Sequence, residues 1–464
     1  MAALTFTFTN NSSLPASDVH IGFVPGAGAP LDITNTKTGD AIASVYAGMG
    51  SKSWAGNWYT LKDLSDGISI SHFSGRIYVC YGTAWTPQYQ GYEPGQAVTD
   101  PNFFLRYDKM EITFNGDPAD AANLTTIDYW AIPMSLTSYG SGGKVVQQDS
   151  GLKGGATSDQ VYKELKALTT PPASGLSGPG GTDGTPLSAV VPGDFKQYGS
   201  GPKPGTNFAR VIGPSSYPSV YPTTGIPVMP YNLMEDYLVY LRDTFGPETK
   251  AGSVVPNLGD GVIAIIKGEF AGVGPNVPAS GPQSRQSYQY LATIDDGLNI
   301  LLSQAEAIVS GATVRYEPVK GGHTMLFRRD DLLNPSGIYG GNTPYYFDGA
   351  STPMAPANDV YGWISGDLFS GISIGAVGSE TVTAGEMVGS MPSQKWFQLP
   401  GSLFFAGMQT KKPYFNQWAA TLAPLSDAYN FAYSDRFAHV LVSLNPANVA
   451  KLELTLEPTK LTYS

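Results

Sequence analysis

The clearest pattern of hydrophobic and polar positions in the chain covers residues 109–115, where the two kinds of residue alternate. Met110, Ile112 and Phe114 fall on one side of this segment, and polar residues occupy the positions between them. A period of two is typical of a β-strand with one buried face and one polar face. The pattern therefore predicts a strand that presents Glu111, together with Thr113 and Asn115, away from the core.

A second polar face follows in residues 124–130, where Asp128 shares a side with Trp130. The turn-forming residues 116–120 separate the two segments and favour an antiparallel hairpin. If Asn115 lies opposite Leu124, the register places Glu111 opposite Asp128. Opposed like charges destabilise a sheet, whereas a glycosidase needs two carboxyl groups, one as a proton donor and one as a base or nucleophile. The alternative is that both acids are solvated residues on an outer face.

The remaining elements divide the chain into a β region and an interrupting segment. Short alternating segments between turns recur through residues 1–150 and again at 451–456, which favours a sandwich or barrel. Between them, apolar spacing predicts helices at 232–245 and 297–310 and a buried strand at 262–266. We therefore predict a mainly β fold with a barrel domain of residues 1–150 plus 416–464, and a mixed α/β domain inserted at 151–415.

Composition narrows the choice of partners and cofactors. The formal net charge is −11 and only 14% of residues are charged, so we expect neither nucleic acid nor a membrane as a partner. A single cysteine, Cys80, and four scattered histidines give no metal-ligand spacing, so no metal and no cofactor is expected. The abundance of aromatic and uncharged residues suits a neutral carbohydrate ligand.

The beginning of the sequence bears on where the protein acts. It lacks the basic flank, apolar core and cleavage site of a secretory signal. Either a signal was removed before this numbering begins, or export uses another route or does not occur. We predict a secreted monomer, with a cytoplasmic location as the alternative.

Several segments resemble known families. Residues 6–11 resemble the first strand of thaumatin-like proteins, and residues 424–435 are similar to the segment before the last strands of that fold. Residues 74–78, the predicted hairpin and residues 233–237 resemble glycoside hydrolase family 64, the laminaripentaose-producing β-1,3-glucanases. This resemblance implies a thaumatin-like barrel with an inserted α/β domain and a cleft between the two.

The same resemblance implies roles for individual residues. Glu111 matches the general acid of the family's Glu-x-Thr-x-Asn strand, and Asp128 falls where the general base of an inverting mechanism is expected. Thr113 and Asn115 would bind sugar hydroxyl groups. Trp130 would stack on a sugar ring or, equally, belong to the core. The implied function is hydrolysis of β-1,3-glucan to short laminari-oligosaccharides, with that polysaccharide as the partner.

Alternatives to this interpretation stay open at the level of sequence. A non-catalytic thaumatin-like protein that binds glucan or cell walls would keep the same acidic cleft, and a structural protein could reuse the barrel. The predicted register also brings the two acids closer than the ~6.5–9.5 Å that inversion requires. We therefore expect a bulge or stagger near residues 117–123. Further cleft candidates, for which a surface role is favoured or equally expected, are Asp108, Glu93, Asp100, Asp435 and Arg76.

Overall fold

A computed structural model describes most of the chain. It covers residues 3–50, 55–169, 187–193, 207–216, 232–247, 261–271, 285–310, 313–334, 337–436 and 440–463. Most of the Gly/Pro-rich stretch at 169–206 lies outside the described residues. None of the helices in the described segments is long and apolar enough to cross a bilayer.

The described residues of the first half of the chain form twelve strands and one α-helix. The strands are β1 (Leu4–Asn10), β2 (Val19–Pro25), β3 (Leu31–Asn35), β4 (Tyr59–Thr60), β5 (Ile68–Tyr81), β6 (Arg106–Phe114), β7 (Ala121–Leu124), β8 (Tyr129–Trp130), β9 (Met134–Tyr139), β10 (Val145–Ser150), β11 (Ala189–Gly193) and β12 (Asn207–Ile212). The helix is α1 (Ser158–Ala167). This mainly β composition confirms the predicted fold class.

The second half mixes helices and strands. The strands are β13 (Val262–Ala271), β14 (Arg285–Ile294), β15 (Ile300–Ser310), β16 (Thr313–Pro318), β17 (Thr324–Phe327), β18 (Tyr346–Phe347), β19 (Val382–Thr383), β20 (Glu386–Met387), β21 (Val442–Ser443) and β22 (Lys451–Leu456). The helices are α2 (Asn232–Phe245), α3 (Arg329–Leu332), α4 (Val360–Ile374), α5 (Ser393–Trp396) and α6 (Gln417–Leu422).

One large sheet forms the barrel. Its main path runs β10-β9-β22-β1-β5-β6-β7-β21, with β2, β3 and β4 attached beside β5. Strands β1 and β22 pair in parallel, from Thr5 opposite Lys451 onwards, so the two ends of the chain meet in the centre of this sheet. The side chain of Gln147 on β10 also bonds the backbone at the β21 end of the path, at Leu441 and Ser443. This side chain therefore bridges the two ends of the path.

A long antiparallel pair, β5 and β6, carries the polar face that concerns function. Its register places Phe73 opposite Phe114 and Arg76 opposite Glu111. Alternate side chains of both strands are buried in the barrel core, including Ile77 and Met110. Because this apolar face fixes the pleat, the intervening polar side chains must face outwards.

A second core lies under the sheet β13-β14-β15-β17-β18, on which α2 and α4 pack. Helix α4 is held at its start by Asp359, whose side chain accepts hydrogen bonds from the backbone of Tyr361 and Gly362, and it ends at Gly375 with φ 83°. These caps fix the position of Asn358, the residue immediately before the N-cap.

Two segments differ from the predicted organisation. The predicted helix at 297–310 is wrong, because this segment forms β15 and pairs with β14, β16 and β17. Strands β11 and β12 fall inside the predicted inserted domain, yet Val191 and Ile212 contribute to the barrel core, and β12 pairs with β8. The domain boundary at residue 150 stays a prediction.

Candidate active site

The alternation predicted for residues 109–115 is present in β6. Met110, Ile112 and Phe114 are at most 2% exposed, whereas the Glu111 side chain is 39% exposed. Burial of three large apolar side chains fixes which way the strand faces. Glu111 and Thr113 therefore project from the barrel into the space beside it.

The predicted register of the hairpin is wrong. Glu111 lies opposite Asn123 of β7, not opposite Asp128. The cause is a tight turn after β6, in which the carboxylate of Asp120 accepts hydrogen bonds from the backbone N–H groups of Asn115 and Asp117. Since this turn closes the hairpin early, β7 ends at Leu124 and Asp128 lies beyond it.

Asp128 is held by contacts from a distant part of the sequence. Its Oδ1 accepts a hydrogen bond from Ser215 Oγ at 3.0 Å, and its backbone carbonyl accepts one from the N–H of Gly213 at 2.7 Å. Its Oδ2 lies 3.6 Å from Lys109 Nζ. Lys109 shares the outer face of β6 with Glu111, so the two candidate acids belong to one row of polar side chains.

Both acids border one open, polar depression on the barrel. The larger part is a cleft of about 1540 Å³ lined by Glu111, Thr113 and Asn115, with Asn358 and Leu441 on its margin. A smaller recess of about 280 Å³, lined by Asp128 and Lys109, adjoins it. Arg76 and Glu93 line both parts. The total space exceeds that of a typical small-molecule site and suits an extended ligand.

Arg76 and Glu93 form the junction between the two parts. Arg76 donates from Nε to Glu111 Oε1 at 3.0 Å and from Nη1 to Glu93. Tyr78 donates its hydroxyl hydrogen to the other carboxylate oxygen of Glu93. Burial acts to lower the pKa of Arg76, but the carboxylates of Glu93 and Glu111 outweigh it and hold that pKa above its ordinary value. The guanidinium therefore stays charged.

The predicted sugar-binding residues fall into two groups. Thr113 and Asn115 line the cleft beside Glu111, and Thr113 Oγ1 lies 3.0 Å from Ser74 Oγ across the β5–β6 pair. Trp130 does not line it. This side chain is 2% exposed and packs against Phe208 and Tyr463 in a separate apolar cluster. Its proposed stacking on sugar is therefore wrong, and the core alternative holds.

Asn123 is a cleft residue that the sequence did not single out. It lines the large cleft directly opposite Glu111, and its Oδ1 is buried without a hydrogen-bond partner in the described part of the chain. A buried acceptor without a partner is costly, so stabilisation of the fold does not account for an asparagine at this position. Knowledge of the true register would have identified this residue.

The other acids considered from sequence have structural partners. Burial raises the pKa of Asp108 to about 7. Hydrogen bonds from the backbone N–H groups of Ile132, Lys109 and Ala131 act in the opposite direction and offset part of this rise. Asp100 accepts hydrogen bonds from Tyr92 and from the Gly95 N–H, and thus holds the loop that carries Glu93. Asp435 accepts one from Tyr429. Only Glu93 joins the candidate site, and the surface role favoured for it is wrong.

Metal binding finds no support in the described residues. They contain no group of three or more His, Cys, Asp or Glu side chains that could hold a metal ion. The free thiol of Cys80 is buried in the barrel. The cleft itself presents carboxylates, hydroxyl groups, amides and two cations.

Comparison with known proteins identifies a family that the barrel segment carrying the candidate site resembles. Residues 59–213, which include β5, β6 and both candidate acids, match the family model Glyco_hydro_64, described as beta-1,3-glucanase. No sequence among the curated proteins matches the chain significantly. The match confirms the predicted resemblance to glycoside hydrolase family 64.

Two solved structures match along nearly the whole chain. One is a laminaripentaose-producing beta-1,3-glucanase in complex with laminaritetraose, 18% identical, with 99% of each chain covered and a TM-score of 0.53. The other is a beta-1,3-glucanase domain of the same family from Clostridium beijerinckii, 14% identical, with 98% of each chain covered and a TM-score of 0.53. At these identities the two structures establish a shared fold.

Proposed function

We propose that this chain hydrolyses β-1,3-glucan in the cleft beside β6, releasing short laminari-oligosaccharides. The observation that carries the proposal is the placement of two carboxyl groups, Glu111 and Asp128, along one row of polar side chains in an open depression large enough for an oligosaccharide. The family match over residues 59–213 and the laminaritetraose bound to a protein of the same fold support this choice of substrate.

Glu111 is proposed as the general acid. Its position on β6 is fixed by the buried residues on either side, so its carboxyl group is presented to the cleft with little freedom. A proton on this carboxyl group would pass to the glycosidic oxygen as the bond to the leaving sugar breaks.

Asp128 is proposed as the general base. Ser215 donates a hydrogen bond to its Oδ1, and the Lys109 ammonium lies 3.6 Å from its Oδ2. The carboxylate would take a proton from a water molecule as that water attacks the anomeric carbon from the face opposite the leaving group.

The spacing of these residues supports inversion rather than retention. Because Asn123 rather than Asp128 lies opposite Glu111, the two acids are not held at the short distance of a directly opposed pair. This arrangement favours the ~6.5–9.5 Å of an inverting pair over the ~5–5.5 Å of a retaining pair.

Three cleft residues would hold the sugar. Thr113 and Asn115 follow Glu111 along the chain and line the same cleft, while Asn123 faces Glu111 from β7. Hydroxyl groups of glucose can accept hydrogen bonds from the amide N–H groups of Asn115 and Asn123 and from the Thr113 hydroxyl. These contacts would orient the scissile bond over Glu111.

Two isosteric variants test the proposal. Glu111→Gln and Asp128→Asn should each lower the rate of oligosaccharide release from linear β-1,3-glucan by at least about 100-fold, because each removes one acid–base group. Chromatography of the products gives the rate, and retention on insoluble glucan gives binding, which should persist.

Matched controls are available outside the cleft. Glu386→Gln alters a glutamate that is 40% exposed and paired with Lys395, and Asp348→Asn alters an aspartate that is 42% exposed and paired with His323. Both controls should hydrolyse glucan at the wild-type rate. Undiminished hydrolysis by Glu111→Gln or Asp128→Asn would refute the assignment. Binding without hydrolysis by the wild-type protein would favour a glucan-binding protein instead.

A further inference from the structure

The Arg76–Glu93–Tyr78 cluster has a geometry that the two-carboxylate mechanism does not require. Arg76 contacts Glu111 through Nε and Glu93 through Nη1, so one guanidinium joins the two carboxylates. Glu93 is the less exposed of the two acids, with 26% of its side chain exposed against 39% for Glu111. Tyr78 binds the second oxygen of Glu93 and locks its orientation.

This geometry creates a conflict for a proton donor. An arginine beside a carboxyl group favours the ionised form, and an ionised Glu111 cannot protonate a glycosidic oxygen. A second carboxylate on the same guanidinium offsets that positive charge. Glu93 occupies this position, and Asp100 holds its loop through the Gly95 N–H at 2.9 Å.

We propose that Glu93 is a positioning residue that acts through Arg76, offsetting the positive charge of the guanidinium beside Glu111 so that hydrolysis extends to a higher pH. This inference rests on the proposed function of Glu111 as the general acid. Arg76 also keeps the Glu111 carboxyl group aimed into the cleft, and Tyr78 keeps Glu93 in place.

Other charged or titratable groups around Glu111 enter the same balance. These groups line the two parts of the cleft. Arg76 and Tyr78 lie on β5, Lys109 lies on β6, and Tyr46 and Glu93 lie in loops. Asp117 and Asp120 lie in the turn after β6, and Asp128 lies beyond β7. The residues on the opposite margin, Asn358 and Leu441, are uncharged. A change confined to Glu93 leaves all these other groups in place.

Glu93→Gln isolates the charge from the hydrogen bonds. The amide oxygen of glutamine can still accept from Arg76, and its N–H can donate to the Tyr78 hydroxyl oxygen, so the local shape persists. The basic limb of the kcat against pH profile should move to lower pH by about one unit, since a single adjacent charge is removed from a partly exposed site. On that limb, kcat should fall about tenfold.

Two further variants separate electrostatics from support of the fold. Tyr78→Phe keeps the charge of Glu93 and removes one hydrogen bond, so its basic limb should move less than that of Glu93→Gln. Glu386→Gln removes a surface charge of similar exposure, paired with Lys395, and should change neither kcat nor the profile. The melting temperature of each variant shows whether it is folded.

The outcomes distinguish this inference from the proposed function. If wild-type protein hydrolyses glucan and Glu111→Gln does not, but Glu93→Gln has an unshifted profile, the role of Glu93 is refuted and that of Glu111 stands. An equal displacement of the limb in Tyr78→Phe would also refute it, since the effect would follow from the hydrogen-bond support rather than the charge. Hydrolysis that survives Glu111→Gln refutes the function itself.

Discussion

Asp149 on β10 gives a prediction about stability that is independent of catalysis. Its side chain is buried at 0% exposure, and burial together with the nearby Asp427 carboxylate raises its pKa to about 8. The backbone of Leu124 and the ammonium of Lys153 oppose this shift in part. Folded protein therefore holds a proton on Asp149 at neutral pH, whereas unfolded chain does not.

The sign and size of the effect follow from proton linkage. Between the ordinary aspartate pKa of about 3.9 and the raised value, the folded state binds one more proton than the unfolded state, so stability falls as pH rises. From pH 5 to pH 7 this loss amounts to about 3 kcal/mol for the single group. For a cooperative unit of 150–250 residues, the corresponding fall in melting temperature is roughly 6–10 °C.

Asp149→Asn removes the titration while preserving the shape of the side chain. Differential scanning calorimetry at pH 5, 6, 7 and 8 should show the wild-type protein losing stability relative to the variant as pH rises. Asp330→Asn, which changes an aspartate whose side chain is 91% exposed and paired with Arg329, should retain the wild-type dependence. Parallel curves for wild type and Asp149→Asn over this range would refute the reasoning.

The remaining predictions concern Trp130, Asn123 and Ser215. Trp130→Ala should lower the free energy of unfolding by roughly 3–5 kcal/mol in denaturant titrations, because it removes a buried ring. Trp130→Phe should keep kcat/KM for glucan within about twofold of the wild-type value. A folded Phe variant that no longer hydrolyses glucan would contradict the assignment of Trp130 to the core. Asn123→Ala should lower kcat/KM by about tenfold with an unchanged melting temperature, as expected for a lost hydrogen bond to substrate; an unchanged kcat/KM would remove Asn123 from the site. Ser215→Ala should lower kcat more than it raises KM, because it removes the hydrogen bond to Asp128 Oδ1 and Ser215 itself does not contact the substrate. A change in KM alone would argue against this orienting role.

The part of the site that sequence could predict lies within one strand. Alternation in residues 109–115 was enough to place Glu111, Thr113 and Asn115 on the outer face, since burial of Met110, Ile112 and Phe114 fixes the pleat. Fold class followed from the many short strands and the resemblance of the two chain ends to a known barrel. The parallel pairing of β1 with β22 explains why both ends carried that resemblance.

Features that depend on distant pairing could not be predicted. The register of β6 and β7 is set by the Asp120 carboxylate inside the turn, which neither alternation nor turn propensity reveals. Asp128 is oriented by Ser215, a residue 87 positions away. Glu93 gained its place in the cleft through Arg76, and no local pattern distinguishes it from a surface acid.

The incorrect helix at 297–310 has a related cause. Leu301, Leu302 and Ala305 fit helical spacing and favour helices by intrinsic propensity. In the structure, the first half of β15 instead pairs with β14 and β17, and its second half, from Ala305 to Ser310, pairs with β16. Tertiary pairing therefore overrides local propensity, as is common for strands inside a sheet.

The anomeric form of the first product tests the central claim most directly. Proton NMR of a short β-1,3-gluco-oligosaccharide, followed from the moment the wild-type protein is added, resolves the α and β signals before mutarotation mixes them. Inversion by Glu111 and Asp128 predicts that the α-anomer appears first. Initial release of the β-anomer would contradict the proposed roles of the two acids, and the absence of any hydrolysis would contradict the proposed function.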